Sequence, residues 1–292
     1  MLASRSELIT VRGLRTHLRH WGRAGAPQLF MLHGWMDVSA SFQFVVDCLQ
    51  GDWHVIAPDW RGFGLSERTH GDTYWFPDYL GDLDAILQHC APHGAVNLLG
   101  HSMGGNVAGL YAGVRPQRIA RLINLEGFGM SATKPKQAPG RYAKWLDELQ
   151  QPSMLRTYPT PQAVAARLQK TNPRLSDERA AFLARHWAAQ NGAGEWEILG
   201  DPRHKHASPL LYQIDEVLAC WSAITAPVLW VEADDTNMWQ WMGPKAEARV
   251  EIDRRLGFLA DVSTRMMADA GHMLHHDQPE ALAQMIEAFL AA

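Results

Sequence analysis

The sequence predicts an α/β protein with a mostly parallel sheet and helices on both faces. Three observations lead there. Continuous apolar runs such as Gln28-Leu29-Phe30-Met31-Leu32, Ala95-Val96-Asn97-Leu98-Leu99 and Pro227-Val228-Leu229-Trp230-Val231 have the length and bulk of strands buried on both sides. Segments of helical period lie between such runs on short connections, and right-handed crossovers then put the helices outside the sheet. Each run also ends in glycine or polar residues, as strand carboxyl ends do along the edge where ligands bind in such sheets.

In chain order, the alternation from Glu7 to Trp21 around Arg12-Gly13-Leu14 reads as an antiparallel hairpin at a sheet edge. Gln28–Leu32 is the next strand and stops at His33-Gly34-Trp35. A short amphipathic helix over Ser41 to Leu49 leads to the strand His54–Pro58, then to the loop Asp59-Trp60-Arg61-Gly62-Phe63-Gly64-Leu65-Ser66, which reads as a buttress of the functional edge. Leu80, Leu83, Ile86, Leu87 and Cys90 mark a helix from Asp78. After Ala95–Leu99, a helix carries Val107, Leu110, Tyr111 and Val114, and Arg118–Leu125 is a strand closing with Glu126-Gly127-Phe128-Gly129.

Between about Met130 and Ile224 the strand signals vanish. Helices are expected around Tyr142–Leu149, Pro161–Gln169 and Asp177–Gln190, so residues 130–224 read as a helical cap inserted into a core of residues 1–129 and 225–292. Trp145, Met154, Trp187 and Trp196 are candidates for the inner wall of a pocket beneath it. The strand at Val228 ends in Glu232-Ala233-Asp234-Asp235; a charged helix, a strand over Val262–Met267 and the loop Asp269-Ala270-Gly271-His272 follow. In the closing helix Asp277 is placed to cap, Pro279 and Glu280 suit the first turn, and Leu282, Met285, Ile286, Phe289 and Leu290 form one stripe.

Composition excludes several functions. The 292 residues are 47% hydrophobic, enough for a large core, and the net charge of −4 offers no basic surface for a phosphate backbone, so no nucleic acid is expected. Cys48, Cys90 and Cys220 are unpaired in spacing, and the pairs His204/His206 and His275/His276 lack a ligand pattern, so neither a metal site nor a cofactor is expected. The start, Met1 to Glu7, has no apolar signal segment and no run is long enough to span a bilayer; a cytoplasmic location is the expectation.

The chemistry centres on Gly100-His101-Ser102-Met103-Gly104-Gly105. A serine there sits on the corner between a strand and a helix; Gly100 and Gly104 allow the sharp turn that pushes its hydroxyl out, and the N–H groups of the starting helix face charge developing on an attacked carbonyl. Met103 N–H is one candidate oxyanion donor and Trp35 N–H, at the His33-Gly34 strand end, the other. A serine hydroxyl needs a base and an orienting acid. His272 lies in a loop between the last strand and the last helix, on the same edge, ahead of the rivals His275 and His276. For the acid, Asp235 is the first choice, with Glu126 and Asp234 behind it, all three being strand-end carboxylates.

With these residues the chain resembles the α/β-hydrolase superfamily: the elbow around Ser102, the order Ser, acid, His, His33-Gly34-Trp35, the loop Asp59–Ser66 and Gly271-His272 with Pro279-Glu280 are all similar to family patterns. The resemblance implies Ser102 as nucleophile, His272 as base, Asp235 as acid and the Trp35 and Met103 N–H groups as oxyanion hole. The chain departs from the family where Glu232 replaces a frequent glycine and where Thr236-Asn237-Met238-Trp239, not Val-Pro, follows the acid. A serine where haloalkane dehalogenases and epoxide hydrolases have aspartate implies acyl chemistry, and the glycine-rich oxyanion loop of carbon–carbon bond hydrolases is absent. The expected function is a cofactor-free serine esterase acting on a small, hydrophobic ester through an acyl-enzyme. Lactone, amide or peracid chemistry on the same residues, or a ligand-binding protein of the same fold with little turnover, are the alternatives.

Overall fold

The first hairpin forms because Arg12 and Gly13 both adopt positive φ, giving a two-residue turn whose twist suits the strands it joins, β1 (Ser4–Val11) and β2 (Leu14–Trp21). The structure, a computed structural model, describes residues 1–151 and 154–292. After the hairpin come β3 (Gln28–Leu32), α1 (Gln43–Val46), β4 (His54–Pro58), α2 (Pro77–Cys90), β5 (Val96–His101), α3 (Met103–Val114) and β6 (Ile119–Leu125). The chain then leaves the sheet through α4 (Ala138–Leu149), β7 (Thr157–Tyr158), α5 (Pro161–Thr171), α6 (Asp177–Trp187), β8 (Ala188–Gln190), β9 (Trp196–Ile198) and α7 (Ile214–Ser222). It returns with β10 (Val228–Ala233), α8 (Lys245–Leu256), β11 (Val262–Met267), α9 (Leu274–Asp277) and α10 (Pro279–Ala291).

Eight strands lie in the order β1-β2-β4-β3-β5-β6-β10-β11, antiparallel through β4 and parallel from β4 onward. Successive residues of β3 show how both faces are covered. Phe30 and Leu32 join a cluster with Leu83 of α2, Val107 of α3 and Trp221 of α7; Leu29 and Met31 join another with Val46 of α1 and Leu282 and Ile286 of α10. Burying each such leucine or isoleucine stabilises the fold by roughly 1.5–3 kcal/mol before ordering entropy is counted. The closing helix packs the expected stripe against the core, with Leu282 and Ile286 buried and Met285, Phe289 and Leu290 partly so, but Asp277 does not cap it: the N-cap residue is Gln278, without a side-chain cap. The first short helix is also briefer than the sequence implied, a 3-10 turn over Ser39–Phe42 running into α1.

The segment between β6 and β10 departs from the helical expectation. Its helices α4, α5 and α6 form, the last two opened by Thr160 and Ser176, whose hydroxyls accept from the N–H groups of Ala163 and Arg179. Beside them, however, β7, β9 and β8 make a small antiparallel sheet, and the helix expected to reach Gln190 stops at Trp187. Ala188-Ala189-Gln190 has helical propensity; pairing with Trp196–Ile198 overrides it. Val164, Leu168, Leu183 and Ala184 form a core within this segment, completed by Phe44 of α1. Among the described residues no helix is long and apolar enough to cross a membrane.

Polar groups are buried in the scaffold too. His20 is 2% exposed, and burial followed by the charge of Arg5 pulls it down to about 4. His204, stacked between Phe63 and Tyr74, is pushed by burial down to about 3 against the pull of Asp201. An unfolded chain binds these protons near pH 6.5 and the folded one does not, so their contribution is complete above that pH and is lost as pH falls toward the folded values, by at most about 1.4 kcal/mol per pH unit for each group. The urea midpoint is therefore expected to fall steadily from pH 6.5 to 4, and His204→Phe to make that slope shallower; an unchanged slope in the variant refutes the assignment.

Candidate active site

Ser102 stands on a strained corner. It follows the last residue of β5, with φ 53° and ψ −115°, a region non-glycine residues avoid. The two glycines around it are forced by contact. A Cβ on Gly100 would lie 2.3 Å from the Gly104 carbonyl oxygen, and one on Gly104 would lie 2.1 Å from that of Leu32. Ser102 N–H donates to the Leu125 carbonyl of β6 at 2.8 Å, so the corner is pinned to the neighbouring strand.

That neighbouring strand supplies the carboxylate. Register pairs His101 with Leu125, and Leu125 with Val231 of β10, so Glu126 emerges directly beside Ser102, itself at positive φ (54°). Its side chain is fully buried. Oε1 accepts from Ala233 N–H at 2.8 Å, and Oε2 accepts from the Thr236 hydroxyl at 2.6 Å and from His272 Nδ1–H at 2.8 Å. With Nδ1 donating, His272 Nε2 carries the lone pair and accepts from the Ser102 hydroxyl at 3.0 Å. Serine, imidazole and carboxylate thus form one hydrogen-bonded chain.

Asp235, the acid first expected, takes no part in this chain. Its side chain is 72% exposed and accepts from Arg174 Nη2 at 2.7 Å. Asp234 accepts from the N–H groups of Asp269 and Ala270 at 3.0 and 3.2 Å, bonds that hold its pKa below the ordinary carboxylate value. The cause is length: β10 runs on past its last pairing with β6, at Val231, to Ala233, so both aspartates fall beyond the level of Glu126 and brace the turn after β11. Thr236, which holds Glu126, escaped the sequence reading. Its one trace there was the departure from Val-Pro after the expected acid.

The loop that follows β3 passes close to the corner. A Cβ on Gly34 would lie 3.3 Å from Ser102 Cβ, so the backbone leading into Trp35 runs beside the serine. Among the described residues neither Trp35 N–H nor Met103 N–H has an acceptor, and Met103 heads α3, where N–H groups lack intrahelical partners. The loop Asp59–Ser66 buttresses it. Trp60 donates its backbone N–H to His33 Nε2 at 2.9 Å and its indole N–H to the His33 carbonyl at 3.0 Å, while His33 Nδ1–H donates to the Gly34 carbonyl at 2.8 Å. Burial, against the pull of Asp37 and Asp59, keeps the His33 pKa low and the ring neutral, as this pattern requires.

The loop carrying His272 is held from both sides. Asp277 accepts from Gly271 N–H at 2.8 Å and from Asn172 Nδ2 of the inserted segment at 2.7 Å, and Arg179 donates to the His276 carbonyl at 2.6 Å. The rivals His275 and His276 are buried. Of the suggested wall residues, Met154 is 79% exposed, Trp196 and Trp187 pack in the segment's own core, with Trp187 also donating to Asp37, and Trp145 donates to Thr73.

A family model described as alpha/beta hydrolase fold matches residues 27–279. The chain belongs to the α/β-hydrolase fold family. A zebrafish (Danio rerio) protein named serine hydrolase-like protein is 30% identical over 278 residues, 92% of this chain and 83% of that protein. The pimeloyl-[acyl-carrier protein] methyl ester esterase of Vibrio parahaemolyticus is 38% identical over 120 residues, 41% of this chain and 42% of its own. The solved thioesterase domain from the curacin biosynthetic pathway shares the fold of this α/β hydrolase with a TM-score of 0.86 at 24% identity, covering 98% of this chain and 99% of its own.

Thr236→Val removes a donor from a buried carboxylate without changing shape, and a stability loss of about 1–3 kcal/mol in urea unfolding is expected. Asp235→Asn breaks an exposed pair and is expected to cost under about 1 kcal/mol. Equal losses would show that Thr236 does not hold Glu126.

Proposed function

We propose that this α/β hydrolase cleaves a carboxylic ester through an acyl-enzyme formed on Ser102, with His272 as base and Glu126 as the orienting acid. The observation that carries this reading is the relay from Ser102 Oγ to His272 Nε2 at 3.0 Å and from His272 Nδ1 to Glu126 Oε2 at 2.8 Å. Ser102 Oγ attacks the ester carbonyl carbon as its proton passes to Nε2; the Trp35 and Met103 N–H groups receive the negative oxygen. His272 then gives the proton to the departing alcohol oxygen. Water enters, loses a proton to Nε2 and attacks the acyl carbon, and Ser102 leaves with that proton restored. Glu126 fixes the Nδ1–H tautomer throughout and faces the imidazolium when it forms.

Residues 130–224 serve as a cap over a core of residues 1–129 and 225–292. Support comes from the reach of Asn172 and Arg179 to the histidine loop and from Gly64 N–H and Asp201 N–H, which donate to the Leu199 and Gly62 carbonyls between cap and core. The substrate side favours an apolar acyl group: Trp35 beside Ser102 is 44% exposed. The methyl ester esterase named above, similar over 120 residues, supports a carboxylic ester as the substrate class.

Purified protein is expected to hydrolyse p-nitrophenyl butyrate and to be labelled by a fluorophosphonate, with both lost in Ser102→Ala. Glu126→Gln is expected to lower kcat by about 10²–10⁴, and Asp235→Asn to leave it within about twofold. The reading fails if Asp235→Asn is the more damaging of the two, or if wild type neither turns over nor labels, the outcome expected of a binding protein.

A further inference from the structure

Beside the relay lies a group of polar side chains that ester hydrolysis does not use. Asp37, His101 and His275 are each 2% exposed or less, and one donor atom from each lies within 4.8 Å of the others. Their outer atoms are occupied. Asp37 Oδ1 accepts from Val38 N–H at 2.8 Å, from Trp187 Nε1–H at 3.0 Å and from the Ser41 hydroxyl. His101 donates Nε2–H to the His272 carbonyl at 2.8 Å. Among the described residues their inner atoms are bare: Asp37 Oδ2, His101 Nδ1 and both nitrogens of His275 have no hydrogen-bond partner. Four such atoms together are uncommon in a protein interior, where buried polar groups are paired.

One pair, His275 with Asp37, is spaced for a shared ligand rather than for a direct bond. His275 Nε2 lies 3.7 Å from Asp37 Oδ2, too far for a hydrogen bond, whereas two atoms each about 2.0–2.2 Å from one ion stand roughly 3.3–3.8 Å apart. Since Nε2 of His101 carries the proton, Nδ1 presents a lone pair, and Gly34 leaves it uncovered: a Cβ there would approach to 3.0 Å. Outer contacts already fix two ligands, the carbonyl behind His101 and the donors on Asp37 Oδ1, as metal sites require.

We propose that Asp37 Oδ2, His101 Nδ1 and His275 Nε2 form a site for one divalent transition-metal ion. Two imidazoles and a carboxylate suit zinc, cobalt, nickel or copper and not magnesium or calcium. The histidines come from the elbow and from the short helix α9, the aspartate from the loop after β3, so only the fold assembles them. Because His101 also holds the main chain of His272, an occupied site biases the position of the base; that consequence, unlike the site, rests on the proposed ester chemistry.

Cobalt titration tests the site apart from activity. Metal-free wild-type protein is expected to bind one Co²⁺ per chain with visible d–d absorption that Zn²⁺ abolishes. Asp37→Asn and His275→Gln are each expected to weaken binding at least tenfold, and Ser102→Ala to leave it unchanged. No stoichiometric Co²⁺ spectrum in wild type, the result for a site filled by water, overturns the proposal. So does loss of binding in His272→Ala with wild-type binding in Asp37→Asn and His275→Gln, which places the ion on the exposed base. Should those two variants not fold by circular dichroism, X-ray absorption of the wild-type cobalt complex decides: two imidazoles and an oxygen support the site, and a single imidazole rejects it.

Discussion

A carboxylate shut away from water imposes the tightest constraint on this fold. Glu126 is fully buried, and its two oxygens are met by donors from three places: Ala233 at the end of β10, Thr236 beyond it, and His272 after β11. An unpaired charge in such a position is strongly destabilising. The registers of β5, β6, β10 and the last loop must therefore agree, and when they do the imidazole is turned with its lone pair toward Ser102. Scaffold and chemistry share one set of bonds. Ser102 and Glu126, at the ends of adjacent strands, both hold positive φ, a strain that sheet packing beneath them offsets.

The opposite side of the site is governed by neutral imidazole. His33 accepts from Trp60 and donates to the Gly34 carbonyl, which a protonated ring could not do. One residue before Trp60, the buried Asp59 gathers His17, Ser39 N–H and Leu65 N–H; burial works against its charge, and His17, His33 and the Leu65 N–H together outweigh it, leaving its pKa depressed. The loops after β3 and β4 are thus fixed to each other and to the hairpin.

Much of this was legible in sequence. Runs such as Gln28–Leu32 could be read because strands buried on both faces admit only bulky apolar residues, and Ser102 and His272 because glycine-flanked corners are chemically narrow. Which carboxylate meets His272 was not legible from spacing. Glu126, Asp234 and Asp235 all follow strands, and what separates them is that β10 outruns β6, a matter of pairing between residues a hundred positions apart. Short strands in the insertion were hidden for a related reason: two or three residues show no period. Asp277 looked like a helix cap because local sequence cannot reveal Gly271 and Asn172 competing for its oxygens.

That last contact has a bearing on how such proteins diversify. Asn172 and Arg179 belong to the inserted segment, yet they grip the backbone that presents the imidazole. A chimera that imports a foreign segment between β6 and β10 inherits a histidine loop tailored to the old one. Recombination at those junctions is therefore least disruptive when the stretch from Gly271 to Asp277 travels with its clasp.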